Sequence, residues 1–179
     1  MSLQTHQVPS CERTTCRARR VRSQRLGEVT TVAVPPSPLL ARALPSIDWS
    51  DAYAVSLADR PNGYPQEWAD AIFRSPPLWV GLLFGVREVL VRTIGIERGG
   101  SHVFDTVSWR PDEVLLGIDQ GHLSFRASVL LEPHRVVLTT VVKVHNRRGR
   151  LYSALVRRVH PVVVRTMLAR AARTMTAST

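Results

Sequence analysis

A change of hydrophobic period constrains this chain more than any other feature. From His102 to His145 apolar residues recur at every second position, the spacing of a half-buried strand. Three short interruptions, Arg110-Pro111, Asp119-Gln120 and Glu132-Pro133-His134, divide the stretch into four predicted strands, roughly 102–109, 112–118, 121–131 and 135–145. Connections this short join antiparallel neighbours, so the four strands read as a meander. Parity assigns the faces. Leu123, Phe125, Ala127, Val129 and Leu131 share one side of the third strand; Val136, Leu138, Thr140, Val142 and Val144 share one side of the fourth. A tight turn at Pro133 sets odd positions of the first opposite even positions of the second, which brings both apolar sets to the same side. Carried back through the earlier turns, that side also gathers Val114, Leu116 and Ile118, then Val103, Asp105, Val107 and Trp109. The other side carries His122, Ser124, Arg126, Ser128, Thr139, Lys143 and His145 and is expected to be the wetter one.

A sheet with one apolar face needs a cover. From Arg148 to about Arg173 the period becomes helical, with Leu151, Tyr152, Leu155, Val156, Val159, Val162, Val163 and Met167 within about half of a helical wheel. Pro161 is expected to kink or split this helix. Earlier in the chain, Glu28 to Pro35 and Asp51 to Leu57 read as short strands, the latter with Tyr53, Val55 and Leu57 on one face. The stretch Pro35-Pro36-Ser37-Pro38 between them reads as a turn or linker. Pro65 opens a helix with Trp68, Ala71 and Ile72 on one face, and Pro76-Pro77 ends it. A second helix is predicted over Leu78 to Ile94, with Trp79, Leu83, Val86 and Leu90 at helical spacing. The architecture is α+β: a curved antiparallel sheet wrapped around a long C-terminal helix, with two short helices inserted after an early strand. A space between sheet and helix is the natural place for a ligand.

With 179 residues, the chain has room for one core without a disulfide or metal staple. The expected organisation is a basic, disordered arm over 1–27, a single domain over 28–175 and a tail over 176–179. The net charge of +10 is uneven: +5 in residues 1–27, −3 in 28–145 and +8 in 146–179, where eight arginines meet no acid. The first basic run, Arg13 to Arg25, holds no aromatic side chain, so it lacks the stacking platform of a specific nucleic-acid reader. Basic ends can still attract a weak anionic partner. No apolar run reaches the length of a membrane span, and no apolar block follows the basic N-terminus. The two cysteines, Cys11 and Cys16, lie in the arm, a usage that suits a reducing cytoplasm.

Four separated motifs carry a resemblance. They are Leu44-Pro45-Ser46-Ile47-Asp48-Trp49-Ser50-Asp51-Ala52-Tyr53; Pro77-Leu78-Trp79-Val80 with Leu82-Leu83-Phe84-Gly85-Val86-Arg87; Val114-Leu115-Leu116-Gly117-Ile118-Asp119-Gln120-Gly121-His122-Leu123-Ser124-Phe125-Arg126; and Asn146-Arg147-Arg148-Gly149-Arg150-Leu151-Tyr152. In this order they resemble the bacterial domain-of-unknown-function family numbered 2867, over about residues 28–175. The element order looks like the helix-grip fold of the START and polyketide-cyclase superfamily. The resemblance implies a fold and a ligand cavity, and for the superfamily such activities as cyclase, dehydratase or isomerase. The Asp-Asp usual before the family's His-Leu motif stands here as Asp119-Gln120.

Candidate chemistry centres on Asp105, which parity points into the apolar side, where a carboxylate needs a partner or a raised pKa and can serve as base or ligand anchor. Trp79, Trp109, Leu123, Phe125, Tyr152, Val156 and Val159 are the expected cavity lining, with Tyr152 suited to donate one hydrogen bond into an apolar pocket. His160, beside Tyr152's face, either joins that site or satisfies carbonyls freed at Pro161. His122, Arg126, His145 and Asp119 form a second group whose metal reading lacks a ligand-spacing motif, and His6, Cys11 and Cys16 are a weak thiol pattern. No metal and no cofactor is assigned. The preferred reading is a non-catalytic domain binding a small apolar or amphipathic ligand. The alternatives are an enzyme of the cyclase, dehydratase or isomerase kind using Asp105, and an interaction module using the arginine-rich face of the last helix; a homodimer is compatible with either.

Overall fold

The computed structural model describes residues 27–74, 76–82 and 104–177. Its elements are β1 (Val29–Thr31), α1 (Pro38–Ala41), β2 (Trp49–Ser56), α2 (Pro65–Phe73), β3 (Thr106–Trp109), β4 (Glu113–Asp119), β5 (Leu123–Glu132), β6 (Arg135–Val144) and α3 (Arg147–Ala177). Six strands form one curved antiparallel sheet in the order β1-β2-β6-β5-β4-β3. The expected meander is present, and β2 joins it by pairing with β6. Val129 lies opposite Leu138 and Leu131 opposite Val136. Val114 lies opposite Val129 and Leu116 opposite Ala127. Tyr53 and Val55 of β2 face Leu138 and Val136, so the same apolar side continues across the sheet.

The long helix closes that side in a helix-grip arrangement. Pro161 sits inside α3, which continues as one helix through it rather than splitting. Proline removes a single N–H from the ladder and the packed turns on either side hold the rest. The last part of α3 is fully engaged: Val164, Met167, Leu168, Ala171 and Ala172 are buried with Trp68 and Ile72 of α2 and with Val114, Val129, Val136 and Leu138 of the sheet. Asn146 caps the start of α3, its Oδ1 accepting from Gly149 N at 2.9 Å and its Nδ2 donating to Gly121 O at 3.0 Å. Gly149 is needed for close approach, since a Cβ there would meet the His122 carbonyl oxygen well inside van der Waals contact.

Two expectations need correction. The first concerns the supposedly wetter face. Ser124, Arg126, Ser128 and Thr139 are all buried, although Lys143 is only half-buried and His145 is exposed. The cover is the segment 32–44, which lies across this second face of the sheet. Leu40 packs with Leu115 and Val141, and Val32 with Ala52, Ala54 and Val137. The Pro-rich linker therefore carries a helical turn, α1, capped by Ser37 Oγ, which accepts from Leu39 N and Leu40 N at 3.1 Å each. Ser37 Oγ in turn donates to Glu113, 2.7 and 2.6 Å from its two carboxylate oxygens, and Ser128 Oγ donates to Glu113 Oε1. Glu113 is only 1% exposed. A buried carboxylate thus ties the linker to β4 and β5.

The second correction concerns β3. The register of β3 shifts between Thr106 and Ser108, so Thr106 lies opposite Leu116 and Ser108 opposite Leu115. A bulge inserts one residue and inverts the parity of everything before it. Thr106 therefore takes the place expected for its neighbours, its Oγ1 donating to Gln66 Oε1 of α2 at 2.7 Å. Asp105 is exposed, as is Val107, and Val103 lies outside the described residues. Of the predicted helix over 78–94, the first turn is helical through Leu82, and the remainder lies outside the described residues.

Candidate functional site

The first part of α3 meets the sheet differently from the last. Tyr152 is buried with Leu123 and Val142, and Trp49, Phe125, Val144 and Val156 pack partly buried around them. Polar groups sit at the seam between this small cluster and the main core. β2 and β6 pair Asp51 with Thr140, both on the inner side, and His160 of α3 lies over them. His160 Nε2 is 3.1 Å from Thr140 Oγ1 and 3.3 Å from Asp51 Oδ1. The imidazole stands edge-on to the Trp49 ring, with centroids 5.5 Å apart, and the Trp49 indole N–H donates to Ser153 Oγ at 2.7 Å. The Arg157 guanidinium covers the Trp49 ring at 5.4 Å.

Tyr53 completes the group. Its hydroxyl lies 3.4 Å from Asp51 Oδ2, and the Arg165 guanidinium sits 5.3 Å from its ring centroid. Burial, followed by the neighbouring Asp51 carboxylate, pushes the Tyr53 phenol above its ordinary pKa, and Arg165 opposes this. Asp51 Oδ1 is buried and accepts no hydrogen bond among the described residues. Both His160 contacts fall on the same ring nitrogen. A base–nucleophile relay needs its acid and its hydroxyl on opposite nitrogens, whereas here both partners stand at Nε2.

The expected lining residues separate into two sets. Leu123, Phe125, Tyr152 and Val156 come together at this site. Asp105, Trp79, Trp109 and Val159 are exposed, Trp109 to 73% on the outermost strand although it does lie opposite Val114. Phe125 is reached from the β3 side by Phe104, whose ring stands edge-on to it at 6.1 Å and stacks on Phe73 at 4.4 Å. Asp51 and Thr140 were not expected as site residues. Their signal was present: each is the single polar member of an otherwise apolar alternation, Asp51 before Tyr53 and Val55, and Thr140 between Leu138 and Val142.

The second expected group divides as well. His122 and His145 are neighbours across the hairpin, His145 N donating to His122 O at 3.0 Å, and the His122 ring stands edge-on to Tyr152 at 5.5 Å. On the other face His145 Nε2 is 2.9 Å from Ser124 Oγ, and Arg126 donates to Asp119 Oδ2 at 2.8 Å and to Phe125 O at 2.9 Å. Gly117, at φ +156° opposite Arg126, leaves the space that this side chain occupies; a Cβ would strike the Phe125 carbonyl. Among the described residues no three His, Cys, Asp or Glu side chains converge on a metal position. A recess of about 230 Å³ lies beside the Pro133 turn, flanked by Arg60, Asp112 and Glu132, at the other end of the β5–β6 hairpin from Tyr152.

The Arg126 hydrogen bond, then the Ser124 hydroxyl, hold the Asp119 carboxyl below the ordinary carboxylate range. A depressed folded-state pKa adds stability that is fully present above the unfolded carboxylate's value of about 4 and is lost as pH falls through the folded value. Arg126→Met is therefore expected to move the Asp119 titration upward, read by NMR of its carboxyl carbon. An unmoved titration would show that Arg126 does not hold this charge.

The domain-of-unknown-function family DUF2867, described as a protein of unknown function, matches residues 43–167. The chain belongs to the DUF2867 family. None of the curated proteins and none of the solved structures compared with it matches this chain. The matched span of the DUF2867 domain runs from just before β2 to Met167, so it includes Asp51, Thr140, Tyr152 and His160. It starts after Ser37, leaving the linker side of the Glu113 contact outside the matched residues.

Proposed function

We propose that this DUF2867 domain binds a small apolar or amphipathic molecule between the first part of α3 and the sheet. Tyr152, Val156, Phe125 and Leu123 supply the apolar wall, and the Asp51, Thr140 and His160 group fixes a polar head. The observation that carries this reading is the polar group of Asp51, Thr140 and His160 beside an apolar wall, in which the buried Asp51 Oδ1 meets the His160 ring nitrogen at 3.3 Å but accepts no well-formed hydrogen bond among the described residues. Buried polar atoms are almost always well paired, so an acceptor with only this one long contact has room for a further donor such as a ligand hydroxyl or amine. The helix-grip arrangement, with its resemblance to the START and polyketide-cyclase superfamily, supports the same location.

Native mass spectrometry of freshly purified full-length chain tests this directly. A retained organic mass, absent from a folded Val156→Trp variant that fills the wall, is the expected result. Asp51→Asn removes a charged acceptor and is expected to weaken retention about tenfold, the loss of one charge-assisted hydrogen bond. No retained mass, together with no binding of the apolar dye anilinonaphthalene sulfonate that Val156→Trp abolishes, would refute the reading. An enzyme of the cyclase, dehydratase or isomerase kind would draw on the Asp51 and His160 pair rather than on solvent-exposed Asp105.

A further inference from the structure

The first part of α3 carries a second feature, on the side turned away from the sheet. Leu151, Leu155, Val159 and Val162 are 44–65% exposed. Their spacing of four, four and three residues lines them up along one helical face, within an arc of about 80° at ~100° per residue. On one flank of this stripe stand Arg147 and Arg158, both exposed, and exposed Arg148 lies within it. The helix and everything after it hold no acidic residue.

We infer that this face of α3 is a docking surface for an anionic lipid bilayer, on which the helix lies in the headgroup plane. The argument is one of charge and burial together. Four apolar side chains left in water on one stripe mark an interaction surface. A stripe rimmed by arginines, with no acid, is the composition that seats in the boundary between acyl chains and negative headgroups. The helix is not long and apolar enough to cross a membrane, so it lies on the surface rather than spanning it. A second copy of the chain is a poor occupant, because its stripe would bring the same arginines face to face. A nucleic acid would leave the leucines and valines without partners and finds no exposed aromatic side chain on this stripe to stack on, Tyr152 being buried.

Flotation of the full-length chain with phosphatidylcholine vesicles, with and without phosphatidylserine, is the test. Binding is expected only to the phosphatidylserine vesicles, and to fall about tenfold or more in each of two variants, Leu151→Ser/Leu155→Ser and Arg147→Glu/Arg158→Glu. These positions are exposed, so the variants are expected to keep the parent's circular dichroism spectrum and melting temperature within about 2 °C. Three results would overturn the inference: no binding to the phosphatidylserine vesicles; binding unchanged by the leucine substitutions, which assigns it to other arginines; or dimerisation in light scattering that those same substitutions abolish. The vesicle readout does not depend on a ligand beneath Tyr152, so it stands or falls apart from the mass-spectrometry result.

Discussion

Glu113→Ala is expected to destabilise the domain by about 3 kcal/mol, lowering the melting temperature by roughly 8 °C. The carboxylate accepts from Ser37 and Ser128, and neither it nor they are open to water. Truncation leaves two buried hydroxyls without their acceptor and a void between segment 32–44 and β4. The loss reaches beyond one contact, because Ser37 also caps α1 and α1 seats Leu40 against Leu115 and Val141. Glu113→Gln keeps an acceptor of the same shape and is expected to cost only about 1 kcal/mol. Urea denaturation of both variants checks this. Equal and small effects would mean that the linker is held by its apolar contacts alone.

Leu168→Ala is expected to cost about 3 kcal/mol, and Leu151→Ala, on the same helix, less than about 0.5 kcal/mol. Leu168 is completely buried among α2 and the sheet, whereas Leu151 points to solvent. Removing a buried isobutyl group loses its transfer free energy and leaves a cavity that close-packed neighbours fill only in part. The contrast follows from the division of α3 into a last part buried against α2 and the sheet and a first part whose outer face is exposed. Thermal and urea melts of the two variants measure it. Similar losses at both positions would show that the helix is clamped along its whole length and would remove the opening proposed for a ligand.

The meander was legible residue by residue. Each tight turn passes its parity to the next strand, so the pairing of Val129 with Leu138 follows from positions nine apart in the chain and needs no distant information. The same local logic failed at β3, where the bulge inverted the parity and turned Asp105 outward. Bulges belong to edge strands and leave no periodic trace in a segment of four residues. The covered second face was illegible for a different reason. Past the strand read over Glu28 to Pro35, the rest of segment 32–44 has no regular period, and its place depends on Ser37 reaching Glu113, 76 residues away. The seam under His160 lay between these cases. Asp51 and Thr140 interrupt apolar alternations in plain view, but their being neighbours depends on β2 pairing with β6, about half the chain away.

Hydrophobic period and turn length, both local properties, therefore decided on their own that β4, β5 and β6 turn one apolar side toward a long amphipathic helix. Which polar side chains end up buried, and against what, was decided only by tertiary structure. The enclosure of Glu113, Asp51 and His160 requires segments remote in sequence to meet, and the polar contacts among them exist only after they have met.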